Sequence, residues 1–215
     1  MPIVYTDPNT DVPPGVDFLD VAQTDAWVAA CERDKPWRIP VRECFVELVS
    51  GLADGARILE IGSGPGLLAE AIVDRCANLE SYTLLDFSPR MLELSRQRLL
   101  RFPNVSFAEE NFRNRNWHVN LPRNFTAILA MQSVHEIRHK RHVPGLYREF
   151  AQLLAPGGLL AVSDGKPGDR SVLFRVNLNM TAEEQLEAFA SAGFPDARVV
   201  QDFGNQILVA ARAPE

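Results

Sequence analysis

From residue 57 onward, segments with a strand-like pattern of hydrophobic residues alternate with segments that have a helix-like pattern. Short apolar runs are followed by longer segments in which apolar residues recur every three or four positions. This alternation predicts a parallel sheet with helices on both faces. The predicted strands are 57–61, 81–86, 105–108, 125–131 and 158–163, and the predicted helices between them are 66–76, 89–100 and 143–154.

The two ends of the chain extend this pattern. An irregular arm, 1–20, precedes two amphipathic helices at 24–33 and 41–53. After Pro167 the pattern predicts an extended piece, a capped helix and two strands, at 171–176, 181–192, 197–201 and 206–212. The last two strands should pair antiparallel because their link is short. We predict an α/β fold with a Rossmann-like, doubly wound seven-stranded sheet, mostly parallel with an antiparallel last strand and with helices on both faces.

The composition narrows the class of protein. The chain has 215 residues, of which 46% are hydrophobic and 23% charged, which suits a domain with one buried core. Its net charge of −6 offers no general attraction for nucleic acid. The sequence contains no long apolar run and no signal-peptide pattern, so we expect a cytoplasmic protein that does not contact membranes. The three scattered cysteines indicate buried apolar positions rather than a metal site. The sequence is compatible with a monomer and with a homodimer.

A glycine-rich loop follows the first predicted strand. Residues 58–66 read Ile-Leu-Glu-Ile-Gly-Ser-Gly-Pro-Gly, with glycine at 62, 64 and 66. Glycine leaves no Cβ between the backbone and a ligand, so this loop predicts a site for a nucleotide-like cofactor. The dinucleotide fingerprint Gly-x-Gly-x-x-Gly places its third glycine one residue later, and here Glu60 stands two residues before the first glycine.

The pattern Glu-x-Gly-x-Gly-x-Gly resembles motif I of the class I S-adenosylmethionine-dependent methyltransferases. Segments similar to other parts of that family follow in the family's order, at 84–88, 105–112, 132–137, 153–158 and 181–194. The resemblance covers about residues 40–212. It implies S-adenosylmethionine as cofactor and a methyltransferase domain over 41–215, with 1–40 as a separate arm and helix that could cover the substrate. It also implies methyl transfer to a small organic acceptor, because the Asn-Pro-Pro-Tyr motif of family members that methylate adenine or glutamine nitrogen is absent.

The resemblance also assigns cofactor contacts to the ends of the strands. Asp86 would accept hydrogen bonds from the ribose hydroxyls, although an aspartate before a helix is also a common turn or cap residue. Asn111 would contact the adenine amino group, unless it is an ordinary turn residue. The residues expected to contact the cofactor are Glu60, Gly62, Ser63, Gly64, Gly66, Asp86, Phe87, Asn111, Phe112, Met131 and Gln132.

The segment after the fourth strand carries the candidate catalytic residue. His135 is the candidate general base because imidazole titrates near neutral pH, and the alternative is a histidine that fixes the loop by hydrogen bonds. The charged run 138–142 is either a solvated surface or a patch that attracts an acidic substrate. Residues 135–139 also read His-Glu-x-x-His, which on a helix would bind zinc, but no apolar helical pattern surrounds them.

Two further classes of protein are compatible with the sequence. A nicotinamide-dependent oxidoreductase is disfavoured by the glycine spacing and by Glu60. A non-catalytic relative that keeps the fold as a binding protein is not excluded. Trp27, Trp37 and Trp117 could form an apolar wall over a substrate or belong to the core.

Overall fold

A computed structural model describes residues 9–167 and 177–215, which form one mixed sheet of seven strands. Its strands are β1 Ala56–Ile61, β2 Leu79–Asp86, β3 Val105–Glu109, β4 Phe125–Met131, β5 Leu154–Gly165, β6 Arg198–Asp202 and β7 Gln206–Arg212. Their order across the sheet is β3-β2-β1-β4-β5-β7-β6. The pairs β3–β2, β2–β1, β1–β4 and β4–β5 are parallel, and β7 is antiparallel to both β5 and β6. The predicted fold class is confirmed.

Six α-helices surround the sheet in the described part of the chain. They are α1 Val21–Asp34, α2 Arg38–Ser50, α3 Leu67–Val73, α4 Pro89–Leu99, α5 Val143–Leu153 and α6 Ala182–Ser191. Helix α1 begins earlier than predicted because the Asp20 side chain caps it, accepting a hydrogen bond from the Gln23 amide at 2.9 Å. Helix α2 includes Pro40, which the first turn tolerates because the amide there needs no partner.

Two apolar layers cover the two faces of the sheet. Leu59 and Ile61 of β1 face a layer that contains Tyr147 and Phe150 of α5. Ile58, on the opposite face of β1, belongs to the second layer, which includes α2 and α3. Because strand side chains alternate between faces, both layers share the central strands, and the sheet is buried on both sides.

The remaining predictions differ from the structure mainly at their boundaries. Strand β5 runs over twelve residues, longer than the predicted 158–163, because it continues along β7 up to Gly165. The capping box of α6 is present between Thr181 and Glu184. The predicted extended piece at 171–176 lies outside the described residues. None of the described helices combines the length and apolar character that crossing a bilayer requires.

The topology brings the candidate site together at one edge. Strand β1 lies between β2 and β4, and the three run parallel. Their carboxyl ends therefore meet at the same edge of the sheet, which is where open α/β sheets bind ligands. The loops after β1, β2 and β4 carry most of the candidate residues.

Candidate cofactor and acceptor site

The glycine loop after β1 has a backbone that other residues adopt only with strain. Gly62, Gly64 and Gly66 all have positive φ, at 65°, 55° and 79°. A Cβ on Gly62 would stand 2.4 Å from the Cβ of Ser133, so glycine lets the loops after β1 and β4 touch. A Cβ on Gly64 would meet nothing within 4 Å. The loop is therefore packed at Gly62 and open at Gly64, as a loop that receives a ligand must be.

Asp86, at the end of β2, is tied to this loop. Its carboxylate accepts hydrogen bonds from the amides of Gly64 and Ser88, at 2.8 and 2.9 Å. Burial raises the pKa of Asp86 to about 6, although these backbone hydrogen bonds act to lower it. Phe87 contributes a third backbone hydrogen bond, and because a carboxylate has about four lone-pair positions, acceptor capacity remains for a ligand. At neutral pH Asp86 thus presents an ionised acceptor to hydroxyl groups at the edge of the sheet.

Glu60 does not present a charge to the cleft. Its side chain is buried, and it accepts a hydrogen bond from the Tyr82 hydroxyl at 2.8 Å. Burial raises the pKa of Glu60 to about 8. The hydrogen bond from Tyr82 acts to lower this pKa, and the charge of Asp86 raises it further. A pKa of about 8 favours the protonated form of Glu60 at neutral pH. The predicted contact of Glu60 with the cofactor would thus be made by a buried, largely neutral group.

Ser63 lies in the glycine loop and its side chain carries an unused hydrogen-bonding group. The Ser63 amide donates to the carbonyl of Leu85 at 3.0 Å, which fixes the loop against β2. Its Oγ is buried and has no hydrogen-bond partner in the structure. Buried hydroxyls normally have partners. Ser63 thus fits its predicted contact with a polar cofactor.

The other predicted cofactor residues fall into two groups. Phe87, Asn111 and Gln132 are partly exposed. The Asn111 side-chain oxygen accepts from the Arg113 amide at 3.0 Å, so the turn interpretation describes its present contact. Phe112 is buried in the apolar layer that contains α5, and Met131 packs on the opposite layer. These two residues therefore support the cleft from the core.

His135 is fixed between two carboxylates in the loop after β4. Its Nδ1 lies 2.8 Å from Asp164 Oδ1, its backbone amide donates to Asp164 Oδ2 at 2.8 Å, and its Nε2 lies 3.4 Å from Glu136 Oε1. Burial acts to lower the pKa of His135, but Asp164 and Glu136 outweigh it and raise the pKa to about 10. A histidine with a carboxylate at each ring nitrogen is a cation at neutral pH. These contacts match the alternative expectation, a histidine that fixes the loop by hydrogen bonds. The role of general base stays a prediction.

The charged run 138–142 is bonded to other parts of the chain. Arg138 is buried, pairs with Glu136 at 2.8 Å and donates through Nε to the carbonyl of Val12 at 2.7 Å. Lys140 pairs with Glu184 at 2.5 Å. Arg141 and His142 both contact Asp11. Arg141 and His142 are exposed, in agreement with a solvated surface, whereas Arg138 is buried. The attraction of an acidic substrate stays a prediction.

The same loop does not have the geometry of a zinc helix. Residues 134–142 form two short 3-10 turns, Val134–Ile137 and Lys140–His142, separated by Arg138 in the left-handed conformation with φ 71°. His135 and His139 therefore do not share a helical face. Over 9–167 and 177–215, no cluster of three or more metal-ligating side chains exists.

The three tryptophans do not form one wall. Trp117 is buried beside Phe150, and its Nε1 donates to Glu149 at 2.7 Å, so it belongs to the core. Trp27 packs edge-on against Phe18, with ring centroids 5.3 Å apart. Trp37 contacts the apolar layer on the α2 side of the sheet.

Comparisons with known proteins agree with this geometry. A family model described as a methyltransferase domain matches residues 59–160, which include the glycine loop, Asp86 and the loop after β4. This match supports a class I S-adenosylmethionine-dependent methyltransferase.

Relatives of this methyltransferase differ in the acceptors that their names give. Demethylmenaquinone methyltransferase of Tropheryma whipplei is 31% identical over 53% of this chain and 44% of its own length. Ubiquinone biosynthesis O-methyltransferase of Xanthomonas campestris is 30% identical over 66% of this chain and 57% of its own length. The matches thus span about half the length of these curated relatives.

A solved structure shows the same fold. N-methyltransferase NodS from Bradyrhizobium japonicum, in complex with S-adenosyl-l-homocysteine, has a TM-score of 0.69 and 17% identity, and the match covers 86% of this chain and 91% of NodS. At this identity the likeness concerns the fold.

Sequence reasoning missed the residues that support the methyltransferase site. Asp164, at the end of β5, holds His135, and its only sequence signal is its position at the end of a strand. Ser95 and Arg98 of α4 donate to the carbonyls of Gly64 and Pro65, at 2.8 and 2.9 Å. No sequence motif marks them, because their role depends on how α4 packs behind the loop.

Proposed function

We propose that this methyltransferase transfers a methyl group from S-adenosylmethionine to a small organic acceptor by in-line displacement. The observation that carries the proposal is the joint geometry of the glycine loop and Asp86. The loop is open at Gly64, and the Asp86 carboxylate stands beside it with free acceptor positions. Ribose hydroxyls are the complementary donors.

The residues present fit this cofactor. Asp86 would hold the ribose, and the unpartnered Ser63 hydroxyl would bond a polar group of the bound molecule. Glycine at 64 leaves room for close approach to the backbone. When bound, S-adenosylmethionine supplies a methyl carbon already activated by its sulfonium. The protein then has mainly to align donor and acceptor and to exclude water.

The contacts of His135 restrict the kind of acceptor atom that we expect to be methylated. Each of its ring nitrogens faces a carboxylate, which favours the protonated imidazole and disfavours His135 as a proton acceptor at neutral pH. We therefore infer an acceptor atom that carries a free lone pair or is ionised before it binds, such as an acidic oxygen or an amine. The small-molecule class is supported by the names of the two curated relatives, both of which refer to quinone compounds.

Incubation with methyl-labelled S-adenosylmethionine and fractionated metabolite extracts tests this function. We expect label to appear in a small organic product, and Asp86→Ala, which removes the proposed ribose acceptor, to abolish it at low cofactor concentration. Binding of S-adenosylhomocysteine without transfer to any acceptor would instead indicate a non-catalytic member of the family. Reduction of NAD by a metabolite would favour an oxidoreductase.

A further inference from the structure

The N-terminal arm is attached to the protein at both sides of the glycine loop. On one side, the Val12 amide donates to the Arg138 carbonyl at 2.8 Å, and the Arg138 guanidinium donates to the carbonyls of Val12 and Pro13. On the other side, Ser88 Oγ donates to the Phe18 carbonyl at 2.6 Å. The Phe18 ring also packs against Phe87, with centroids 6.4 Å apart. We call the segment 12–18 the strap.

The two attachment points lie on opposite sides of β1. Arg138 belongs to the loop after β4 and Ser88 follows β2, and β1 is the strand between them. Neighbouring strands are about 4.8 Å apart, so the attachment points are separated by about 10 Å at the level of the sheet. Five residues of extended chain reach about 17 Å, which is enough to cross this gap with some slack. The shortest path between the attachment points crosses the carboxyl end of β1, where the glycine loop lies, and we infer that the strap follows this path.

The attachments are buried and the middle of the strap is exposed. Val12 and Arg138 are only 5% and 6% exposed, whereas residues 13–15 are exposed. Arg138 is also part of a chain of contacts that runs through Glu136 and His135 to Asp164 in β5. The strap is thus fastened to the same network that fixes the loop after β4.

We propose that the strap closes the cofactor cleft and opens for each exchange of cofactor, with Arg138 as the positioning residue that fastens it. The proposal rests on the proposed function, since it takes the cleft beside Gly64 and Asp86 as the cofactor site. Because the strap crosses the entrance, it slows both entry and exit of the ligand. Releasing it accelerates both rates and changes the equilibrium affinity much less.

The test is stopped-flow binding of S-adenosylhomocysteine, followed by tryptophan fluorescence, because Trp27 packs on Phe18 of the strap. Arg138→Met is combined with Glu136→Gln, so that no unpaired charge is left buried. Glu136→Gln alone serves as the matched control, because Arg138 keeps its hydrogen bonds to the strap carbonyls and the amide oxygen of the substituted side chain can still accept from the guanidinium. Arg101→Met, which removes an exposed pair with Asp74 away from the cleft, is the second control.

We expect the double variant to raise both the association and the dissociation rate by about 10-fold, and both controls to stay within about 2-fold of wild type. A higher dissociation rate with an unchanged association rate would show that Arg138 contributes contacts rather than gating, and would overturn the proposal.

Hydrogen exchange of the wild-type protein gives an independent check that needs no variant. We expect S-adenosylhomocysteine to slow exchange of the Val12 amide by at least about 10-fold, because that amide exchanges only when the strap opens. Equal exchange with and without the ligand would overturn the proposal. Absence of any S-adenosylhomocysteine binding would contradict the proposed function itself, and with it the role of the strap.

Discussion

Asp86 illustrates how a single residue joins loop geometry to cofactor recognition. The sequence predicted a carboxylate at the end of β2, and the structure places it in hydrogen bonds with the glycine loop. Its contact with the Gly64 amide could not be predicted, because it depends on the turn at residues 62–66. Burial raises the pKa of Asp86 to about 6, so its charge depends on pH within an accessible range.

Cofactor affinity should therefore fall in mildly acidic solution. Asp86 is ionised above its pKa of about 6 and protonated below it, and protonation removes acceptor positions for the ribose hydroxyls. Calorimetric titrations with S-adenosylhomocysteine between pH 5 and 7.5 should show about a 10-fold loss of affinity toward the acidic end. Asp86→Asn should bind weakly and lose this dependence. A wild-type affinity that is flat over the range would remove Asp86 from the site.

The contacts of His135 show what residue-level prediction from sequence leaves out. An isolated imidazole titrates near neutrality, and this makes it a candidate base wherever it stands near a predicted site. The deciding partner, Asp164, is 29 residues away in another strand. Its contact depends on the pairing of β4 with β5, which the local pattern does not specify.

Loss of His135 should mainly destabilise the fold. His135→Asn leaves the buried Asp164 carboxylate without its cation, and we expect the free energy of unfolding to drop by about 3 kcal/mol. Asp164→Asn added to it should recover part of that loss, since the unpaired charge is then gone. Urea denaturation of the two single variants and the double variant measures this coupling. Additive losses in the double variant would mean that the pair does not interact.

At the scale of elements, the prediction succeeded where local chemistry decides and failed where distant packing decides. The capping box that starts α6 and the alternation of strands and helices are local signals, and both are confirmed. The charged run 138–142 was expected at the surface or beside a substrate. Its partners Asp11 and Val12 lie some 126 to 131 residues earlier in the chain, so the sequence pattern alone did not indicate them.

Alanine substitutions in the glycine loop should distinguish the positions needed for packing from those needed for ligand binding. Gly62→Ala places a Cβ 2.4 Å from Ser133, so we expect it to lower the free energy of unfolding by more than about 2 kcal/mol. Gly64→Ala meets open space and is destabilised only by its positive φ, by about 1 kcal/mol. Its methyl group would instead stand in the cleft and weaken S-adenosylhomocysteine binding. Thermal unfolding and calorimetry of both variants test the contrast, with Gly204→Ala as control, because Gly204 also has a positive φ and open space around it. Equal stability losses in the two variants would contradict the described packing.

For the whole molecule, the buried acid Glu60 should make stability depend on pH. Burial raises its folded-state pKa from 4.5 to about 8, so the folded protein binds a proton that the unfolded chain has released. The free energy of unfolding should therefore fall as pH rises from about 4.5 through about 8, by an amount on the order of 5 kcal/mol. Glu60→Gln, which is neutral at every pH, should show a flatter curve. The same pH dependence in wild type and variant would show that Glu60 is not the responsible group.

The architecture of the whole molecule was predictable, and the arrangement over its cleft was not. Each strand and helix carries its own periodic pattern, and the order of the elements then determines the doubly wound sheet. Strap residues have no such periodicity, and their position follows from two attachments that only the folded chain creates.

The central claim is that the edge of the sheet at Gly64 and Asp86 binds the cofactor of this methyltransferase. Calorimetric titration of the wild-type protein and of Asp86→Ala with S-adenosylhomocysteine, and with NAD as the comparison ligand, tests it most directly. We expect one molecule of S-adenosylhomocysteine bound per chain, affinity at least about 10-fold weaker in the variant, and no heat of binding with NAD. Binding of NAD in preference, or equal affinity of wild type and variant for S-adenosylhomocysteine, would contradict it.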